Sequence, residues 1–301
     1  MKNEVWVVTV DFTKMDSRVL AYARFLSDHI SPKKIHFIHI LEELKSSSYL
    51  PSEFLGLGNM LVTDKKMALE HLVNRYFKDA EVSYECHVKT GSPFEEIIDF
   101  VLSHSAKLVL AGRKKLSSGS GVVSERLSRN LPCDFLLMTE DFKPKLKKIL
   151  VATDFSNHSK LAMQRVIKFQ DDIEKLEIIA HHCYGVPEDY SKSGKSYEEF
   201  AEIMKDSAEK EMSRWLSTFG HKIKAVLTLK DNRSIAQHLL DTAKSNNVNL
   251  IAIGSKGLSK SALAMMGSNT MKLIRANETI PIYIAKGKGE NLKLLDVLMQ
   301  G

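Results

Sequence analysis

The chain repeats itself. Ile149-Leu150-Val151-Ala152-Thr153 runs into Asp154-Phe155-Ser156, and the run Val5 to Val10 leads into Asp11-Phe12-Thr13, at a shift of 143 residues. Ile38-His39-Ile40 matches His181-His182-Cys183 at the same shift. Leu108 to Gly112 matches Leu250 to Gly254, and Ile97-Ile98-Asp99 matches Leu239-Leu240-Asp241, at a shift of 142. Landmarks that keep their offset within one residue across a whole half mark an internal duplication. The 301 residues therefore divide into two domains of one kind, expected at 1–142 and 143–287. Residues 288–301 are expected to form an amphipathic tail carrying Leu292, Leu294, Leu295, Val297 and Leu298. The join, 141–148, is charged and contains Pro144.

The first half shows what the repeated unit must be. Val5 to Val10 is apolar throughout, as a strand buried on both faces requires. Val19, Ala23, Leu26 and Ile30 then recur at helical spacing, and Pro32 closes that helix. Ile35 to Leu41 is a second strand, 42–59 a long polar loop, and Leu61 to Phe77 a helix. Val82 to Val88 alternates as a strand, and Pro93 suits the first turn of a helix whose apolar face includes Phe94, Ile97 and Val101. Leu108 to Ala111, Val122 to Arg129 and Phe135 to Met138 complete it as strand, helix and strand. Such alternation predicts an α/β fold: two tandem flavodoxin-like or Rossmann-like, doubly wound, parallel five-stranded sheets. Right-handed crossovers favour the strand order 3-2-1-4-5. The ligand crevice then lies at the carboxyl ends of the strands, where strand order reverses.

Leu250 to Thr270 is where that crevice gains chemistry. The strand Leu250 to Ile253 breaks at Gly254, a second glycine follows at Gly257, and after nine intervening residues stands Gly267-Ser268. Glycine lets the backbone approach a ligand closely. The amides of Ser268, Asn269 and Thr270 open a helix, so they lack intrahelical partners and can donate to an anion. The spacing is neither a Walker loop nor a dinucleotide fingerprint, because it lacks both GK[ST] and G-x-G-x-x-G.

Composition excludes several other classes. The formal charge of +6 is modest, and its one dense cluster, Lys143, Lys145, Lys147 and Lys148, lies in the join, where a solvated linker accounts for it. No nucleic-acid motif accompanies it. Cys86, Cys133 and Cys183 form no C-x-x-C pair and sit in apolar surroundings, so free buried thiols and a reducing compartment are expected. No apolar run reaches the length of a membrane span, and no leader pattern precedes the first strand. A cytoplasmic protein without membrane contact is the expectation.

Together, the strand ending in DFT or DFS, the histidine-bearing second strand and the Gly254/Gly257/Gly267-Ser268 spacing resemble the universal stress protein family, in its ATP-binding branch. The resemblance covers nearly the whole chain, twice. It implies ATP, alone or with Mg²⁺, in the second half. Ala152, Thr153 and Asp154 would lie near base and ribose, with Cys183 against adenine. Ile253, Gly254, Lys256 and Gly257 would line ribose and phosphates, while Gly267, Ser268, Asn269 and Thr270 would bind phosphate oxygens. Asp154 has a second possible role as cap of the helix starting near Asn157. The first half departs from the pattern: Lys115 stands at the second glycine, Val122 replaces Ser268, and the loop is shorter. A degenerate nucleotide loop is expected there.

Family members pair through the last strand, which implies an intramolecular pseudo-dimer with Cys133 to Met138 beside Ile280 to Ala285, and leaves a homodimer open. The sequence names no downstream protein partner. No nucleophile triad or H-E-x-x-H is present, and nothing stands out to position an attacking water. Binding is expected, with at most slow hydrolysis. A scaffold that binds no nucleotide is the alternative. His181-His182-Cys183 invites a metal reading, but neighbours on a strand face opposite ways, and packing explains them better. No metal ligands are assigned.

Overall fold

The computed structural model describes residues 2–42, 57–113, 121–140, 144–258 and 266–287. Most of the polar loop at 42–59, the loop at Lys115, the middle of the 254–268 loop and the tail at 288–301 lie outside these residues. The chain forms two compact units that divide between Lys145 and Leu146.

In the first unit, β1 (Val5–Thr9), α1 (Asp16–Ile30), β2 (Lys34–Leu41), α2 (Leu57–Phe77), β3 (Tyr84–Thr90), α3 (Pro93–Ser103), β4 (Leu108–Gly112), α4 (Gly121–Asn130) and β5 (Asp134–Met138) follow one another. In the second, the order is β6 (Lys148–Ala152), α5 (Asn157–Asp172), β7 (Glu177–Tyr184), α6 (Tyr197–Leu216), β8 (Ile223–Leu229), α7 (Ile235–Ser245), β9 (Leu250–Gly254), α8 (Ser268–Ala276) and β10 (Ile282–Ala285). Within each unit the strands pair in parallel, as β3-β2-β1-β4-β5 and β8-β7-β6-β9-β10. Both sheets thus have the expected order 3-2-1-4-5.

The burial follows the sequence pattern. Trp6, Val7 and Val8 of β1 and Leu108, Val109 and Leu110 of β4 are fully enclosed. Ile149 to Val151 and Ile251 play the same part in the second unit. Each such side chain contributes roughly 1.5–3 kcal/mol of transfer free energy, so the central strands anchor each sheet. Helix α1 buries Val19, Leu20, Ala23, Leu26 and Ile30, then stops at Ser31, whose left-handed φ of 52° precedes Pro32. Strand β10 begins two residues later than expected. Pro281 has no N–H for the ladder, although its carbonyl accepts from Ile251 N at 3.0 Å. No helix among the described residues is long and apolar enough to cross a membrane.

The duplication extends to single contacts. Phe12 and Phe155 both follow the first-strand aspartate, and both hold left-handed backbone, at φ 58° and 63°. Each ring packs on the histidine of the neighbouring strand, His39 at 4.6 Å and His182 at 4.4 Å between centroids. Each histidine places Nδ1 2.8 Å from the carbonyl ending the first strand, Val10 or Thr153. A carbonyl only accepts, so Nδ1 carries the proton in both. This latch turns the chain sharply away from the sheet and leaves the next helix free to start beside the crevice.

Left-handed backbone strains any residue with a Cβ, by roughly 1–2 kcal/mol. Phe155 offsets that strain by packing on His182 and Trp215. Phe155→Ala keeps the strain and loses the packing, whereas Phe155→Gly loses only the packing. In urea unfolding, both variants are expected to be less stable than the parent, with Gly about 1 kcal/mol above Ala. Equal stabilities for the two would show that the turn carries no strain.

Candidate functional site

The residues assigned to a ligand from sequence converge. Ala152, Thr153 and Asp154 at the end of β6, Cys183 on β7, Ile253, Gly254, Lys256 and Gly257 after β9, and Gly267, Ser268, Asn269 and Thr270 at the start of α8 line one cleft of about 300 Å³. It opens where β6 lies between β7 and β9, the point at which strand order reverses.

Steric detail explains the first two glycines. A Cβ at Gly254 would come within 2.7 Å of the His158 carbonyl carbon, which belongs to the backbone of α5 and cannot swing away. A Cβ at Gly257 would sit 2.6 Å from Asp154 Oδ2. That oxygen accepts instead from Leu258 N at 2.9 Å, fixing the glycine loop to the end of β6. Gly267 differs. Its φ of −66° suits any residue, and among the described residues a Cβ there would meet nothing closer than 3.5 Å. The described residues set no demand for glycine at that position.

Asp154 does not cap α5. Ser156 is the cap, accepting from Ser159 N at 3.2 Å, while Asp154 Oδ1 accepts from Ser156 N at 3.1 Å. The carboxylate therefore orders two backbone segments and keeps further lone pairs toward the cleft. Thr270 is also committed: its buried hydroxyl donates to Gly254 O at 3.0 Å. What it offers a ligand is its amide.

The start of α8 is electrostatically distinct from its neighbours. Helices α5, α6 and α7 begin with Ser156, Ser196 and Ser234, whose side chains each accept from the amide three residues on. At α8 the cap is Gly267, which has no side chain to accept. Amides at a helix start carry partial positive charge, and Ser268 and Asn269 are exposed. With Lys256 on the same rim, this end of the cleft suits an anion.

Part of the lining is apolar. Ile253, Ile235 and Leu239 form it together with Cys183. Burial pushes the Cys183 thiol up to about 11, so it stays protonated and behaves as a small apolar group. His181 and His182 also face the cleft. Burial, then neighbouring His182 and His238, holds His181 down at about 4, and its Nε2 lies 2.9 Å from Thr228 Oγ1. Sequence reading assigned these histidines to packing, and it missed Ile235 and Leu239 because an apolar helix face looks alike against a core and against a ligand.

The first unit has a cleft in the equivalent place, lined by Asp11, Asp16, Glu42, His39 and Gly112. Three of those residues are carboxylic acids, where the second cleft is lined by Asp154 alone with Lys256. Asp16 stands where the second repeat has Ser159. It accepts from Asp11 N at 3.2 Å and Thr13 N at 3.0 Å. Burial, with the Asp11 charge adding to it, raises its carboxyl to about 7.

Known proteins were compared with the chain. The family model described as "Universal stress protein family" matches residues 4–138 and again 145–280. A universal stress protein from Archaeoglobus fulgidus is similar in structure with a TM-score of 0.65 at 17% identity, covering 96% of this chain and 98% of that one. A Pseudomonas aeruginosa UCBPP-PA14 protein described as a universal stress protein gives 0.69 at 12% identity, with 98% of each chain covered. No curated protein matches the chain.

Asp16 makes stability depend on pH. In the unfolded chain its carboxyl ionises near 3.8, against about 7 when folded. Between those values the folded state holds a proton that the unfolded state has released. Raising the pH through this window therefore costs stability, and above it the loss is complete. Asp16→Asn has no such proton. Thermal melts from pH 5 to pH 8 are expected to show the variant gaining on the parent by at least about 3 °C. Parallel melting curves at every pH would contradict it.

Proposed function

The chain belongs to the universal stress protein family, and from that premise we propose that it is a nucleotide-binding regulatory protein with ATP held in its second unit. The carrying observation is the uncapped start of α8 in a cleft that also has an apolar lining. An adenine ring needs the apolar lining, and phosphates need the amides. In this reading the base lies against Cys183 and Ile253, near Asp154. The ribose lies along Gly254 and Lys256, and the phosphates meet Gly257 and the amides of Ser268, Asn269 and Thr270. The absence of any steric need for glycine at 267 fits a position kept open for the ligand. Mg²⁺ would arrive on the phosphates, with Asp154 the nearest protein carboxylate.

The acidic cleft of the first unit takes no nucleotide in this way. Nucleotide would regulate by binding two conformations or assemblies with different affinity. Pairing of the halves through their last strands, an optional homodimer and a cytoplasmic location belong to the same proposal.

The test is mass spectrometry of nucleotide released by denaturing the purified protein, followed by calorimetric titration with Mg-ATP and a turnover assay on the same sample. One ATP per chain is expected. Gly267→Val should melt like the parent but bind at least about tenfold more weakly, because its side chain fills the cradle. Two ATP per chain would mean the first cleft was misjudged. No binding by the parent would overturn the nucleotide reading and favour a scaffold.

A further inference from the structure

The first unit carries a side-chain cluster that the nucleotide reading leaves unused. His36 lies on β2, directly opposite Glu85 on β3, and His87 stands two residues further along β3. Residues two apart on a strand share a face, so all three side chains project from the same side of the sheet edge. They meet at three atoms. His36 Nδ1 is 3.0 Å from His87 Nε2, and each of these nitrogens is 3.6 Å from Glu85 Oε2.

Those separations are the spacing of metal ligands. Zinc holds nitrogen and carboxylate oxygen at about 2.0–2.2 Å, which places neighbouring ligands of a tetrahedral ion about 3.3 Å apart. A point close to the plane of the observed triangle is about 2.0 Å from all three atoms, so an ion fits with little movement. We propose that His36, Glu85 and His87 form a binding site for a divalent transition-metal ion, zinc by its ligand set and spacing, with a fourth position open to water.

The surroundings support this. Lys34 Nζ holds the other carboxylate oxygen, Glu85 Oε1, at 2.5 Å and so aims Oε2 at the histidines. Such outer contacts orient ligands in built metal sites. On the inner side the cluster packs on Phe100 and His104, with His36 at 5.5 Å and 4.6 Å between ring centroids. The His104 ring stacks on Phe100, and its Nδ1 lies 2.9 Å from Phe100 O. His36 is buried, while Glu85 and His87 are partly exposed and give an ion its route in.

The repeat supplies an internal comparison. By the same strand register, the second unit has Ile179, Lys224 and Val226 at these three places. The fold therefore does not require the cluster. There two of the three places are apolar, and the third, Lys224, donates to Asn246 Oδ1 at 3.2 Å.

The experiment uses the full chain, free of any purification tag and stripped of metal with a chelator. Zinc is titrated calorimetrically, and cobalt(II) is followed by its visible d–d absorption. One zinc per chain is expected, with cobalt absorption typical of a four- or five-coordinate ion. Glu85→Gln and Lys34→Met should each weaken zinc about 10–100-fold, and the Glu85→Gln/His87→Gln pair should abolish the cobalt signal. Glu85 and His87 lie at the surface, so circular dichroism should show both variants folded. Zinc bound no tighter by the parent than by the double variant would overturn the site and leave a packed histidine pair. Mg-ATP binding in the second unit is a separate readout, expected to be unchanged in these variants.

Discussion

The contact on which the cleft of the second unit depends is between the Asp154 carboxylate and the backbone after β9. Two strand ends that lie far apart in sequence must be held together for a crevice to have a defined floor. Asp154 Oδ2 does this through Leu258 N, and it can do so only because Gly257 has no Cβ in the way. The loop is fixed at one end by this bond and at the other by Gly267 N to Ser255 O and Thr270 Oγ1 to Gly254 O. A cradle built from backbone amides works only if the backbone is fixed before the ligand arrives. The glycines therefore have two distinct origins. Gly254 and Gly257 are imposed by the protein's own packing, and Gly267 is not.

The first unit shows the same frame with other side chains at its strand ends. Asp11 occupies the place of Asp154, but its Oδ1 is turned to Thr13, accepting from N at 3.2 Å and Oγ1 at 2.6 Å. The local turn and its Phe–His latch survive, while Asp16 brings a second, buried carboxyl into the crevice. At Gly112 an added Cβ would meet the Met15 side chain at 3.1 Å rather than helix backbone. Geometry of the sheet has been retained, while the side chains that line the cleft have changed. Fold thus does not set ligand chemistry here; the side chains at the strand ends do.

Much of this could be read from residues alone. Repetition of apolar runs at fixed offset gave both sheets and their order, because burial on both faces leaves few alternatives for a parallel strand. The gathering of Asp154, Gly254 and Ser268 followed from topology, since β6 must neighbour β9 in that order. What stayed hidden were assignments depending on where one hydroxyl or carboxylate points. Ser156 rather than Asp154 caps α5, and Thr270 gives its hydroxyl to Gly254. The His36, Glu85 and His87 cluster was invisible for a different reason. Its members are spread over two strands separated by a long helix, and only the pairing register of β2 with β3 brings them together.

The two units therefore carry different side-chain chemistry on the same frame. In the second, uncapped amides and Lys256 face outward at the strand ends, and an anion is the natural occupant. In the first, carboxylates fill the crevice, and the histidine cluster lies at the sheet edge, on β2 and β3, remote in sequence from the degenerate loop. A duplicated fold permits this division because each copy keeps its own core. The central strands β1, β4, β6 and β9 are enclosed by their own helices, so substitutions at a rim or an edge leave them untouched. Ligand chemistry can then diverge between copies while the sheet order stays fixed. That is why Ile179, Lys224 and Val226 can stand in one unit where three potential metal ligands stand in the other, with the strand register unchanged.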